Sequence, residues 1–252
     1  MPTKTNVKQL IEDLAHTYIF PAFPRGMLPN GLNLYYDMKQ RLPEYRAGTI
    51  FDVGANIGQS AKKFLKWFPQ AQIYCFEPVA ATCAELRRNV KGQHNIQCFH
   101  LALGAGSGKG QMLLQGSAEM FFLTDDTAGT AQPSGTPLEE VAIVSIDDFC
   151  ANQNLTRINY LKIDTDGYDL EVLKGAERMV QEQRIDLVQV EVSMNSTNTD
   201  HVSFEILKHY LEERNYLLFG IYDQKPEWTT GEPQLRRTNP VFLAQHVILG
   251  QE

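Results

Sequence analysis

The 252-residue chain carries 23 Lys and Arg against 30 Asp and Glu, a net charge of −7, and is 43% hydrophobic. That length and apolar content suit one large α/β domain with a well-buried core, while the scattered cations form no run that could track a phosphate backbone, which argues against a nucleic-acid substrate. The opening MPTKTNVKQLIEDLAH lacks an apolar signal core, and no apolar stretch approaches the ~20 residues needed to cross a bilayer, so a cytoplasmic location without a membrane span is expected.

Residues 5 to 18 place Val7, Leu10, Ile11, Leu14 and Tyr18 on one helical face, until Pro21, Pro24 and Pro29 break the pattern. A second helix is expected over Leu32 to Leu42, ahead of Pro43. Residues 1–47 therefore read as a helical N-terminal extension, and 48–252 as the main domain. From Thr49 strands and helices alternate: IFDV, a helix from Gln59 to Phe68, IYCF, a helix from Ala80 to Val90, then IQCFHLAL. Alternation of this kind builds a parallel sheet with helices on both faces. Between Gly104 and Gly135 the pattern gives way to Gly, Ser, Thr and Asp, which predicts a hairpin followed by a mobile loop able to act as a lid.

Regularity returns with VAIVSIDDF, in which Asp147 and Asp148 read as the cap of the following helix. NYLKID, a helix from Leu170 to Val180, IDLVQVEV, a helix from Phe204 to Glu213 and YLLFGIY follow. A last strand over Pro240 to Leu249 would close a mostly parallel, seven-stranded sheet with one antiparallel pair. Cys75, Cys83, Cys98 and Cys150 show no metal-binding spacing and read as reduced core thiols.

The first strand runs directly into Phe51-Asp52-Val53-Gly54-Ala55-Asn56-Ile57-Gly58 and then a helix. Glycines there let the backbone turn sharply and approach a ligand, and the helix N-terminus offers free N–H groups. The spacing is not G-x-G-x-x-G, and Asp52 would repel a pyrophosphate but attract a cation. S-adenosylmethionine, with an ammonium, a sulfonium and no phosphate, suits such a loop better than a nicotinamide dinucleotide. Glu77, 19 residues past Gly58, ends the second strand where an acid can accept from both ribose hydroxyls. Both Asp52 and Glu77 are expected to be exposed to the cleft.

FDVGANIGQS, FEP, LALG, VSIDDF, YLKIDTDGYDLEVLKGAERM and VQVEVSMN stand in that order along the chain. This series resembles the FkbM family of methyltransferases from about residue 28 to about residue 245, with the glycine loop and KIDTDGYDLEVLKGA its most specific pieces. The resemblance implies a Rossmann-like class I methyltransferase fold, S-adenosylmethionine as methyl donor, and O-methylation of a small molecule, sugar or natural product. By position it implies that Asp52, Gly54, Asn56 and Gly58, with Ser60 beside them, hold the methionine part. Glu77, followed by Pro78, would hold the ribose, Ala102 and Leu103 would border the adenine, and Asp164 would lie near the sulfonium. His100 stands where the family often has Asn, and Asp166 where it often has Glu.

Strand ends carry the remaining chemistry, because ligands of open α/β sheets sit at the carboxyl ends of the strands. Asp164 and Asp166 follow the fourth parallel strand and Glu191 the fifth. They read either as a general base with orienting acids or as a Mg²⁺ site, while Asp166 and Asp169 can also simply cap the next helix. His100 and His201 are further candidate bases. Among the aromatics Tyr35, Tyr36, Phe121, Phe122, Tyr168 and Trp228, the irregular segments make Phe121, Phe122 and Trp228 the first choices for an acceptor pocket. Competing readings are an N-methyltransferase acting on a peptide or small molecule, a nicotinamide-dependent oxidoreductase, which lacks its third glycine here, and a non-catalytic cofactor-binding domain. A nucleic-acid amino methyltransferase would need an Asn/Asp-Pro-Pro-aromatic motif where Ile-Asp-Thr-Asp-Gly-Tyr stands.

Overall fold

The computed structural model describes residues 26–113, 122–124 and 138–250, with a few isolated positions before residue 26. The helix expected over 5 to 18 and the aromatic Phe121 lie outside the described residues. Asn33 accepts from the Tyr36 amide and so starts α1 (Leu34–Arg41). β1 (Thr49–Val53), α2 (Gln59–Trp67), β2 (Gln72–Phe76), α3 (Ala80–Asn89) and β3 (Ile96–Phe99) follow. β4 (Ala102–Leu103), β5 (Gly108–Leu113), β6 (Phe122–Thr124) and β7 (Leu138–Val144) form a small separate sheet, in the order β4-β7-β5-β6. Next come α4 (Ile146–Asn152), β8 (Ile158–Ile163), α5 (Asp169–Lys174), α6 (Glu177–Gln181), β9 (Ile185–Val190) and β10 (Val192–Ser193). α7 (Phe204–Glu212), β11 (Tyr216–Pro226), β12 (Leu235–Ala244) and α8 (Gln245–Leu249) complete the described chain.

The main sheet runs β3-β2-β1-β8-β9-β12-β11, with the short β10 also paired to β12. β3 through β9 are parallel, and β12 is antiparallel to both β9 and β11. This is the mostly parallel α/β sheet that the alternating pattern predicts. Strand order reverses between β1 and β8, and the crevice above that switch point is where such sheets take ligands. Every residue of β9 and the last four of β1 are buried, as expected of parallel strands covered on both faces. One face is an aromatic block: Phe149 of α4 sits edge-on to Phe76 at 4.9 Å and to Phe99 at 5.0 Å, and also meets Phe51 and Tyr74.

Four local readings differ from the sequence pattern, each for a tertiary reason. The helix expected from Leu170 to Val180 breaks into α5 and α6 at Gly175, where an added Cβ would lie 1.9 Å from the Gly104 carbonyl oxygen. IQCFHLAL divides between two sheets, β3 joining β2 and β4 joining β7. The last strand begins earlier, at the polar Leu235-Arg236-Arg237-Thr238, because these residues pair with the extended β11; the chain then turns helical at Gln245. Ser145 caps α4, whereas Asp147 accepts from the Arg178 and Met179 amides and so caps the neighbouring α6. All four cysteines are free thiols. Among the described residues no helix is long and apolar enough to cross a membrane.

Candidate functional site

The turn after β1 depends on backbone geometry that only small residues permit. Gly54 has φ +71°, and its amide and that of Ala55 both donate to the Phe76 carbonyl at 3.0 Å, folding the loop over the end of β2. A Cβ on Gly54 would lie 1.8 Å from the Asp164 carbonyl oxygen, so glycine is what allows the β1 and β8 exits to touch. Asn56 also adopts positive φ, +48°, and donates its amide to Glu77 Oε2 at 3.0 Å. The other carboxylate oxygen of Glu77 accepts from the Val79 amide at 3.0 Å. Each oxygen keeps a further lone pair. Gly58, φ +93°, begins α2 without a side-chain cap of its own; Ser60 lies half-buried in that turn, as Pro78 does after Glu77.

Asp52 is not exposed to the cleft as expected: it is 0% exposed, and Glu77 only 6%. Asp52 stands opposite Lys162 in the β1–β8 register, and the buried Lys162 ammonium lies 3.4 Å from its Oδ1 and 3.2 Å from Asp164 Oδ2. Burial opposes the charge on Lys162, but Asp164 and Asp52 more than offset this and raise its pKa above the ordinary lysine value. For Asp52 burial dominates, and its carboxyl is pushed up despite Lys162. Neither Asp52 oxygen makes a hydrogen bond of good geometry. On the 35%-exposed Asp164 side chain burial also acts upward, yet Lys162, Arg237 and His201 hold the carboxyl below the ordinary aspartate range.

Past Asp164 a second group of side chains assembles. Asp166 has φ +48° and Gly167 φ +97°, and a Cβ on Gly167 would lie 2.7 Å from the Asp200 carbonyl oxygen. This close approach sets the β8–α5 loop against the segment that carries His201. His201 Nε2 lies 2.6 Å from Glu191 Oε2 and 3.8 Å from Asp166 Oδ1, and its Nδ1 lies 3.2 Å from Asn198 Oδ1. Arg237 of β12 donates to the same Glu191 oxygen. The His201 segment is pinned to β12 by Arg236, which pairs with Asp200 at 2.7 Å and with the buried Glu227 at 3.1 Å. Burial raises the Asp166 carboxyl to about 7, helped by Asp164 and Glu191, and does the same to Asp169. Burial alone would lower His201, but Glu191 raises it above the ordinary histidine value.

The structure therefore brings together Asp164, Asp166, Glu191 and His201. Of the three carboxylates considered for Mg²⁺, Asp164 turns to Lys162, while Asp166 and Glu191 share His201 as their third neighbour. Ala102 and Leu103 are buried in β4, and Ala102 packs with Val79, Met112, Val141 and Ile143. His100 stands apart, exposed and 3.3 Å from Glu139. Trp228 is 57% exposed with the Arg236 and Arg237 guanidiniums over its ring, whereas Tyr36 is buried and Tyr35 stacks on Trp67. Sequence reasoning missed Lys162, Asn198 and Arg237. A lone lysine inside the apolar run NYLKID was the one local signal among them.

Residues 52–218 match the methyltransferase FkbM domain. The 2-O-methyltransferase NoeI of Sinorhizobium fredii is 26% identical over 149 residues, 54% of this chain and 60% of that protein, so the match spans less than two thirds of that relative. Methyltransferase 1 of Beauveria bassiana is 27% identical over 197 residues, 71% of this chain and 75% of that protein. The structure of Aeropyrum pernix fibrillarin in complex with S-adenosyl-L-methionine aligns at a TM-score of 0.44 and 12% identity, over 93% of this chain and 74% of that one. With the domain match covering well over half its length, the chain belongs to the FkbM methyltransferase family.

Proposed function

We propose that this chain transfers a methyl group from S-adenosylmethionine to a hydroxyl of a small molecule or glycan. One observation carries the reading: a glycine loop tied by Asn56 to Glu77 adjoins, through Gly54, the acidic end of β8. The residues fit the cofactor. The spare lone pairs of Glu77 suit a pair of ribose hydroxyls, and the partly open carboxylate of Asp164 suits a cationic group rather than a phosphate.

When bound, S-adenosylmethionine supplies a methyl carbon on a positively charged sulfur. Gly54, Asn56, Gly58 and Ser60 would hold the methionine part, and Glu77, with Pro78 setting its backbone, the ribose hydroxyls. Ala102 and Leu103 would border the adenine. Asp164, the more open partner of Lys162, would favour the cofactor's positive charge, with the buried Asp52 on the other side of Lys162. Because the displacement is in line, the acceptor oxygen must approach from the side opposite the sulfur, and holding it there is the largest service the chain can render. We assign that side to Asp166, Glu191 and His201. The acceptor hydroxyl would need a carboxylate to take its proton, and Asp166, 28% exposed and titrating at about 7, is suited to that role.

The test is methyl transfer from labelled S-adenosylmethionine to a panel of hydroxylated acceptors, oligosaccharides included, with the product read by carbon NMR. A new O-methyl resonance is expected. Transfer only to amine acceptors would replace this reading with N-methylation.

A further inference from the structure

We propose that Asp166, Glu191 and His201 bind one divalent first-row transition cation, of the Mn²⁺ or Zn²⁺ kind. The role of such an ion beside the acceptor hydroxyl rests on the function proposed above, but its binding does not. The three donors come from the β8–α5 loop, the end of β9 and the segment before α7, and one ligand atom of each lies within 4.8 Å of the others. An ion bonded at about 2.1 Å sets adjacent donors roughly 3 Å apart. His201 Nε2 is already 2.6 Å from Glu191 Oε2 and 3.8 Å from Asp166 Oδ1, so each carboxylate oxygen needs a shift below about 1 Å relative to the imidazole.

The orientation of His201 is fixed from behind. Asn198 is buried; its Nδ2 donates to the Arg236 carbonyl, and its Oδ1 accepts from the Asp200 amide, which leaves Oδ1 facing His201 Nδ1. Nδ1 therefore carries a hydrogen, and Nε2 faces a carboxylate oxygen. Two lone pairs at that separation repel unless a positive charge lies between them, and the candidates are a proton and a metal ion. A ligand histidine whose second nitrogen is held by an oxygen is the arrangement metal sites use to fix the tautomer.

The present cation on Glu191 is replaceable. Arg237 is 31% exposed, its Nε is buried without a hydrogen-bond partner, and it reaches Glu191 from the adjacent strand β12. Nearby, Asp169 is fully buried, and its Oδ1 has no hydrogen-bond partner. Two oxygens and one nitrogen suit Mn²⁺ or Zn²⁺, whereas Mg²⁺ prefers oxygen ligands alone. The alternative is a permanent ion network in which a proton on His201 and the Arg237 guanidinium already satisfy the carboxylates.

The two are separated by titrating MnCl₂ into the metal-free chain, with electron paramagnetic resonance of free Mn²⁺ and calorimetry as readouts. One Mn²⁺ per chain is expected, with Mg²⁺ at least tenfold weaker. His201→Ala and Glu191→Gln should each weaken binding at least tenfold, and Arg237→Gln should tighten it by removing the competitor. If His201→Ala melts early, the partly exposed Asp166→Asn takes its place. No saturable binding, binding indifferent to these variants, or looser binding in Arg237→Gln overturns the site. S-adenosylhomocysteine is titrated in parallel: its binding without Mn²⁺ binding overturns the metal site alone, and Mn²⁺ binding without it overturns the proposed function alone.

Discussion

Replacing Gly54 by alanine puts the contact between the β1 and β8 exits under direct strain. The new Cβ would lie 1.8 Å from the Asp164 carbonyl oxygen, so the loop must withdraw by about 1.6 Å to reach ordinary van der Waals contact. That withdrawal breaks the two hydrogen bonds from the Gly54 and Ala55 amides to Phe76, worth about 1 kcal/mol each. Left-handed backbone at an alanine adds roughly 1–2 kcal/mol. The sum is about 3–4 kcal/mol, or about 10 °C in melting temperature for a chain of this size. Gly92→Ala is the control, since Gly92 has φ +88° but nothing within 4 Å of an added Cβ, so it bears the strain without the collision. Gly58→Ala is intermediate, meeting the flexible Leu86 side chain at 2.8 Å. Thermal melts and titration with S-adenosylhomocysteine should rank stability loss as Gly54 over Gly58 over Gly92, with affinity falling about 100-fold for Gly54→Ala and unchanged for Gly92→Ala. A Gly54→Ala chain that melts and binds like the wild type would show that the two loops do not touch as described.

Further outcomes follow from the buried charges and the core. Lys162→Met leaves Asp52 and Asp164 without their shared cation and should cost about 3–5 kcal/mol in urea unfolding; adding Asp52→Asn should recover part of this, and a strictly additive double mutant would contradict the coupling. Asp169 holds its proton up to about pH 7 in the folded chain but loses it near 3.8 when unfolded. The folded state then binds more protons between those values, so this group's stabilisation is complete below the lower one and is lost as pH rises through the upper. Asp169→Asn should therefore gain on the wild type by up to about 1.4 kcal/mol per pH unit between pH 5 and 7, and parallel stability curves would refute the shift. Phe149→Ala removes the ring that meets Phe51, Tyr74, Phe76 and Phe99 and should cost about 3–5 kcal/mol, measured by denaturant midpoint, without changing cofactor affinity.

The parts of the fold legible in the sequence are those whose signals are local. IFDV, IYCF and IDLVQVEV read as buried strands from their apolar content, and the turn at Gly54 and Gly58 from residue type alone. Asp164, Asp166 and Glu191 could be placed at one end of the sheet because parallel strands present their carboxyl ends together. What the sequence hid depends on partners far away along the chain. Gly175 interrupts an apparently continuous helix because Gly104 needs the space. Asp52 looks like a cleft residue until Lys162 arrives from β8 to bury it. Arg237 and Asn198 carry no sign of a role, since what they bond, Glu191 and His201, becomes adjacent only when β12 pairs beside β9 and the segment before α7 reaches the end of that strand. Asp147 caps a helix, but α6, which exists only because of the break at Gly175.

Recognition of S-adenosylmethionine by the glycine loop and Glu77 is the central claim. Titration calorimetry of the purified chain with S-adenosylhomocysteine, and with NAD as control, tests it most directly. The expected result is saturable binding of S-adenosylhomocysteine at one site, weakened at least tenfold by Glu77→Ala in a chain that still melts cooperatively, with no heat from NAD. Tight NAD binding, or S-adenosylhomocysteine binding that ignores the loss of Glu77, would contradict it.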